Sequence, residues 1–272
     1  GGGTPTTLSE RQLETLLSTV ADSTDVSALS EFTLEAGRPD TITAEKLQIA
    51  KAFGVTRISV NPQSLSDAVL AKIGRRHTVE DFYRAYEQAA ASGIREIVGL
   101  PGDDFKTFSL SLDKIISLAP ANVTVHAFCF KRAADLSRPS GALYSPDAQA
   151  AAKCIQYSQL TLANAGYKPY YMYRQKNAVG NLENVGFSIA GHECMYNIFM
   201  MEEMHSIFGA GAGAVTKLVR RGTSGAQSRI QRIFAPKYPY EYLRDIEKIR
   251  CGVPARGIPS YEERVFEFFR GE

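Results

Sequence analysis

The sequence predicts an α/β fold: a parallel sheet or barrel built from β/α units over residues 1–167, followed by a smaller α+β domain over residues 168–272. Three observations carry that expectation. Short β-prone runs alternate with amphipathic runs of helical length from Leu8 to about Phe130. Helix caps and stop glycines fall between those runs. After Lys168 the alternation ceases and tyrosine-rich, β-prone stretches take over.

The elements follow in order. Ser9 with Gln12 is a capping-box signature, and Leu13, Leu16, Leu17 and Val20 behind it keep helical spacing. Phe32 to Glu35 is a strand, and Thr43 to Phe53 a helix stopped at Gly54. Arg57 to Val60 is the next strand, and Thr78 caps a helix that Gly93 closes. Ile97 to Leu100 is strand-like, Phe105 to Leu118 helical, and Val123 to Phe128 strand again. Ser145-Pro146-Asp147 opens a long helix, with proline where a missing N–H costs least, and Gly166 ends it. Tyr170 to Arg174 and Tyr196 to Phe208 read as β-rich without a helix between them; helices near Tyr240 to Ile249 and Tyr261 to Phe269 finish the chain.

Composition narrows the function classes. The 272 residues hold 44% hydrophobic and 22% charged side chains, the balance of a chain with a packed core. Lys plus Arg number 31 against 29 acids, a net charge of +2, which argues against a general nucleic-acid binder. No run approaches the ~20 apolar residues of a membrane span. Cys129, Cys154, Cys194 and Cys251 are too scattered for a CxxC or CxxxCxxC clip, and four such cysteines without a secretory segment read as reduced cytosolic thiols. The first residue is Gly1 rather than Met, which leaves a cleavage, a tag scar or missing upstream sequence behind it.

Chemistry has few places to sit. Gly1-Gly2-Gly3-Thr4-Pro5 is either a tag scar or a lip where a ligand meets the backbone beside a hydroxyl. Gly99-Leu100-Pro101-Gly102 ends a strand and is a turn or a ligand loop. Gly209 to Ala214 holds a GxGxxA pattern, but Arg229-Ile230-Gln231-Arg232 stands where a dinucleotide site needs an acid, so only some other close backbone approach remains open. Glu35 ends one strand, and Asn61 with Gln63 the next; each alone reads as loop chemistry, but together at one mouth of a parallel sheet they form a ligand shell. Lys217, Arg220, Arg221, Arg229 and Arg232 form an acid-free basic stretch to which Arg174 and Lys176 add, either a solvated face or a grip on a polycarboxylate. His77, His126, His192 and His205 lack metal-ligand spacing and read as structural, with His126 beside Cys129 the one worth keeping.

Taken together, the motifs resemble the oxygen-independent coproporphyrinogen III oxidase family of radical S-adenosylmethionine enzymes, in its coproporphyrinogen dehydrogenase-like branch. The matching stretches are Gly1 to Pro5, Phe32 to Asp40, Asn61 to Ser64, Gly74 to Thr78, Gly99 to Gly102, Tyr171 to Asn177, Gly180 to Gly186 and Gly209 to Ala214, in family order; Arg174 to Asn177 belongs to this branch. The resemblance implies an incomplete parallel β/α barrel that binds S-adenosylmethionine and a [4Fe-4S] cluster, and a family-specific C-terminal domain. It places Gly2, Gly3 and Thr4 on the glycine motif lining the S-adenosylmethionine site, Glu35, Gln63 and Arg75 on its polar ligands, and Cys129 and Val215 on contact positions. The substrate it implies is a tetrapyrrole with four carboxylates, for which Arg174, Lys176, Arg220 and Arg221 are the expected contacts, and an electron donor is the implied partner.

Two departures stand out. The family's CxxxCxxC lies upstream of the glycine motif and is absent here, so cluster ligands are expected before residue 1 and this chain alone is expected to be inactive. Between Gly93 and Gly99 the chain is several residues shorter than the family pattern, and a strand of only Ile97 to Leu100 is short against the usual ~5–6 residues, which favours missing residues there. The activity implied is oxidative decarboxylation of coproporphyrinogen III to protoporphyrinogen IX in the cytoplasm, with no nucleic-acid or membrane partner. A haem-binding or haem-delivery protein, and a degenerate paralogue without chemistry, are the rival readings. A sheet that lacks its first strand is also expected to leave an exposed edge, and with it oligomerisation or a mobile N-terminus.

Overall fold

The structure, a computed structural model, describes residues 3–93, 95–101, 105–126, 148–174, 181–222, 228–250 and 260–270. The chain divides into two compact units, residues 3–194 and 195–272. The boundary expected at 167/168 therefore moves to 194/195, because the strands just after Lys168 pair into the first unit's sheet.

In the first unit, strands β1 (Thr33–Ala36), β2 (Arg57–Val60), β3 (Arg95–Pro101) and β4 (Asn122–His126) alternate with helices α1 (Glu10–Ser23), α2 (Ala44–Ala52), α3 (Asp67–Lys72), α4 (Val79–Ser92) and α5 (Phe105–Ser117). The two capping boxes form as the sequence expects: Ser9 N–H donates to Gln12 Oε1 at 3.0 Å and Gln12 N–H to Ser9 Oγ at 3.3 Å, while Thr78 and Asp81 repeat the exchange at α4. The short helix α3 has no counterpart in the sequence reading, since six residues carry too little period to be seen. Strand β3 spans seven residues, so the premise of a strand too short for its place does not hold.

The sheet runs β1-β2-β3-β4-β6-β5, where α6 (Ala148–Asn164) precedes β5 (Lys168–Tyr173) and β6 (Asn184–Ser188). The first four strands are parallel; β6 lies antiparallel to β4 and β5 antiparallel to β6. The four parallel strands fit the α/β expectation, and the antiparallel pair is new. Alternation along the strands splits the sheet into two faces. Leu34, Ala36, Ile58, Val60, Val123, Val125, Val185 and Phe187 join one core with Leu13 and Leu17 of α1, Phe82 of α4 and Leu112 of α5. The alternate residues, Glu35, Arg57, Ser59, Asn122, Thr124, His126, Asn184 and Ser188, are polar and share the other face.

The second unit carries α7 (Met195–Glu202), the hairpin of β7 (Val215–Arg220) and β8 (Arg229–Phe234), α8 (Pro239–Arg250) and α9 (Tyr261–Arg270). Leu218, Ile233 and Phe268 form its small core. The stretch from Tyr196, expected as strand, is helical through Glu202. Lys217 is 4% exposed and its Nζ donates to the Phe199 and Met200 carbonyls at 3.1 and 2.9 Å, a cation seated on the last turn of α7.

Candidate functional site

The polar face of the first unit ends, at the C-terminal tips of β1 and β2, in three segments that carry the expected ligand residues. The N-terminal segment is tied down rather than trailing. Thr6 is 1% exposed, its Oγ1 lies 2.7 Å from Thr41 Oγ1, and the buried Lys46 ammonium donates to the Thr6 carbonyl at 2.8 Å and the Thr41 carbonyl at 3.3 Å. Thr4 precedes this anchored turn and accepts the Thr7 N–H and hydroxyl on its carbonyl. A Cβ added at Gly3 would meet nothing within 4 Å, so no internal packing demands glycine there.

Glu35 sits exposed on β1, in register with Ser59 of β2. The Ser59 hydroxyl is buried and has no hydrogen-bond partner among the described residues, and the same is true of Ser64, which is 4% exposed. Between them, Gln63 takes a left-handed backbone, φ 65°, unusual outside glycine. The loop after β1 touches this one, since a Cβ on Gly37 would come to 3.4 Å from Asn61 Nδ2. His77, 3% exposed, reaches the Pro62 carbonyl with Nε2 at 2.9 Å. Two residues before it stands exposed Arg75, whose backbone N–H closes the end of α3 on Leu70 O at 2.8 Å. Glu35, Gln63 and Arg75 thus occupy neighbouring segments, and His77 is the link between the last two.

Farther along the same face lies a group that the sequence reading did not find. A bulge between Pro169 and Tyr171 puts consecutive tyrosines on one side of β5. Tyr170 OH donates to Asn122 Oδ1 at 3.2 Å, and Tyr171 OH lies 3.4 Å from Thr124 Oγ1. Burial, with the neighbouring tyrosines and Cys194 adding, raises the Tyr171 phenol well above its ordinary value. Its ring covers Gly186 so closely that a Cβ there would overlap it. Burial also lowers the His126 imidazole, against a hydrogen bond to the Asn184 side chain that raises it. The alternation of β6 was the available signal, but its partner strand is set by chain-distant pairing.

The second unit receives the remaining expected residues. Val215 is 40% exposed at the start of β7, and Arg220 faces Arg229 across the hairpin with Arg221 following. Gly209 is glycine for a reason internal to this unit: a Cβ would stand 2.8 Å from the Val215 carbonyl oxygen. The basic set divides. Lys217 is consumed by α7, Arg232 pairs with Glu203 at 2.6 Å, and Arg229 lies over Phe268 at 5.5 Å. Arg174, in the first unit, pairs with Glu183 at 2.8 Å. Among the described residues Arg220 and Arg221 make no ion pair. Gly2, Cys129 and Lys176 lie outside the described residues.

The implied groups can be tested against these side chains. S-adenosylmethionine offers a carboxylate, an ammonium, a diol and a purine. A carboxylate at Glu35, an amide at Gln63, a guanidinium at Arg75 and two buried hydroxyls without a partner among the described residues supply matching donors and acceptors, so the residues present fit it. An iron–sulfur cluster finds no such set. Of the described cysteines, Cys154 is buried on α6 and Cys194 is buried at the end of the first unit, and no cluster of metal-ligating side chains occurs among the described residues. No helix among those residues is long and apolar enough to cross a membrane.

Comparison with known proteins adds four findings. Residues 1–115 match the radical SAM superfamily. The chain is 40% identical over 253 residues to the oxygen-independent coproporphyrinogen-III oxidase-like protein HemZ of Bacillus subtilis, covering 91% of this chain and 50% of that protein. It is 30% identical over 256 residues to the heme chaperone HemW of Bacillus subtilis, covering 90% and 64%. Among solved structures, coproporphyrinogen III oxidase (HemN) from Escherichia coli shares the fold with a TM-score of 0.65 at 17% identity, over 90% of this chain and 55% of that one. The chain spans about half to two thirds of the length of these relatives.

Proposed function

We propose that the chain is a radical SAM protein, the superfamily that residues 1–115 match, and that the full-length protein decarboxylates coproporphyrinogen III oxidatively to protoporphyrinogen IX, a step of porphyrin and haem synthesis in the cytoplasm. The observation that carries this reading is the 40% identity to a coproporphyrinogen-III oxidase-like protein over 91% of the chain, supported by Glu35 standing in register with Ser59 and by the His77 bond between the Gln63 loop and the Arg75 segment. S-adenosylmethionine, when bound with its cluster, supplies the radical chemistry at a propionate side chain.

The chain's own residues bind and orient. The Arg75 guanidinium forks the ligand's carboxylate, Glu35 accepts hydrogen bonds from its ammonium or hydroxyls, and the Gly2-Gly3-Thr4 backbone lets it approach without side-chain bulk. Cys129 and Val215 are assigned to contact positions by the family resemblance alone. No set of thiolates for the cluster stands among the described residues, and an electron donor is the partner the reading requires. The substrate's four propionates need cations, and an unpaired buried carboxylate is expensive. Arg174, Lys176, Arg220 and Arg221 are the cations we assign to them.

The test uses the full-length protein, reduced anaerobically, with coproporphyrinogen III. Carbon dioxide release and protoporphyrinogen IX are expected, and Arg174→Ala with Arg220→Ala should weaken substrate binding by about 1.5–3 kcal/mol for each charge-assisted bond lost. The similarity to a heme chaperone favours one rival, a haem carrier. Stoichiometric haem binding that one histidine substitution abolishes and the double arginine variant leaves intact, with no decarboxylation, would put that rival first.

A further inference from the structure

We infer that His77 is a positioning residue, one that fixes the Gln63 loop and the Arg75 segment to each other so that both side chains reach S-adenosylmethionine together; the inference rests on the ligand site proposed above. The Pro62 carbonyl can only accept, so the His77 Nε2 that lies 2.9 Å away carries the proton and donates it. That carbonyl belongs to the same planar peptide as the Gln63 N–H. Holding the oxygen therefore sets the direction of the N–H and the start of the residue that follows, and Gln63 is the residue with φ 65°. A left-handed glutamine is disfavoured by its own Cβ and persists where its surroundings over-determine it.

Within the loop, Pro62 has no N–H to bond, and the buried Ser64 hydroxyl has no hydrogen-bond partner among the described residues. On the His77 side the segment is firm. Arg75 N–H bonds Leu70 O, Val79 N–H bonds Asp67 Oδ1 at 2.8 Å, and Thr78 caps α4. His77 thus ties the Gln63 loop to the segment between α3 and α4. At 3% exposure its ring is closed off from solvent, which leaves the hydrogen bond as its polar task.

The experiment measures S-adenosylhomocysteine binding by calorimetry and amide exchange of residues 61–65 in the full-length protein. His77→Leu keeps volume and removes the donor; His77→Gln offers an amide N–H at a similar reach; His77→Asn is too short to reach. Leu and Asn should bind about tenfold more weakly, the worth of one hydrogen bond, with faster exchange at residues 61–65, and Gln should return to within about threefold. Binding by a folded Leu variant within twofold of the parent overturns the inference. If the Leu variant does not fold, the Gln and Asn pair decides, and equal affinities overturn it. Gln63→Ala and Arg75→Ala separate the two layers. If neither weakens binding, the ligand site itself is wrong; if both do and the His77 variants do not, only the positioning role fails.

Discussion

Arg57 is the side chain whose loss should be felt most. It lies 4% exposed on the polar face of β2, with Nε 3.4 Å from Glu31 Oε2. Its two terminal nitrogens donate to the carbonyls of His192 and Glu193 at 2.7 and 3.1 Å, where the chain leaves the first unit. Glu31 is itself only 10% exposed and also accepts from the Cys194 thiol at 3.3 Å. Arg57→Met keeps the stem and removes the fork. A buried carboxylate then loses its cation, the Glu193 carbonyl loses its Arg57 donor and the His192 carbonyl keeps the Asn122 amide alone, and breaking one partner of a buried pair costs about 3–5 kcal/mol. For a unit of this size, each kcal/mol moves the melting midpoint by about 2–4 °C, so the variant should melt about 6–20 °C lower. Arg57→Lys should recover little, because one ammonium cannot span a carboxylate and two carbonyls. Arg57→Met with Glu31→Leu should recover much of the loss, since it removes the stranded charge. Far-UV circular dichroism in a thermal ramp reads all of this. A single Met variant within 2 °C of the parent, or a Lys variant equal to it, would refute the reasoning.

Gly186→Ala should cost about 1–3 kcal/mol, the usual toll of overpacking, because the new Cβ meets the Tyr171 ring and stands 3.0 Å from Tyr170 Cε1. Urea unfolding checks it, and adding Tyr171→Leu should return part of the loss. His126 should make the protein acid-sensitive: its folded value is depressed below 6.5 by burial, so the unfolded chain binds the extra proton first and stability falls as pH drops below about 6.5. His126→Gln should flatten that slope in denaturation midpoints taken between pH 5 and 8, and an unchanged slope would count against burial as the cause. Anaerobic reconstitution of the present chain should leave it without a cluster, as measured by iron and sulfide content; stoichiometric iron held by Cys129, Cys154, Cys194 or Cys251 would contradict this.

The local part of the architecture was open to reading. Ser9 with Gln12 caps α1 because both partners lie within one turn, and Gly93 ends α4 for an equally local reason. Glu35, Asn61 and Gln63 declared themselves by standing after short β-prone runs in a chain that alternates strand and helix. What the tertiary structure decided involves partners far apart in sequence. The run from Met195 to Glu202 is apolar with no clear period, compatible with strand or helix, and a lysine fifteen or more residues later caps it as helix. Strands β5 and β6 belong to the first unit because β6 finds β4, some sixty residues earlier, and no pattern within either strand names that partner. Arg57 looks like a strand's solvent residue until Glu31 and the carbonyls at 192 and 193 close around it. His77 looks like one histidine among four until Pro62 is beside it. Caps and periods are properties of neighbours along the chain, whereas burial and the partner of a buried polar group are properties of the folded space around it.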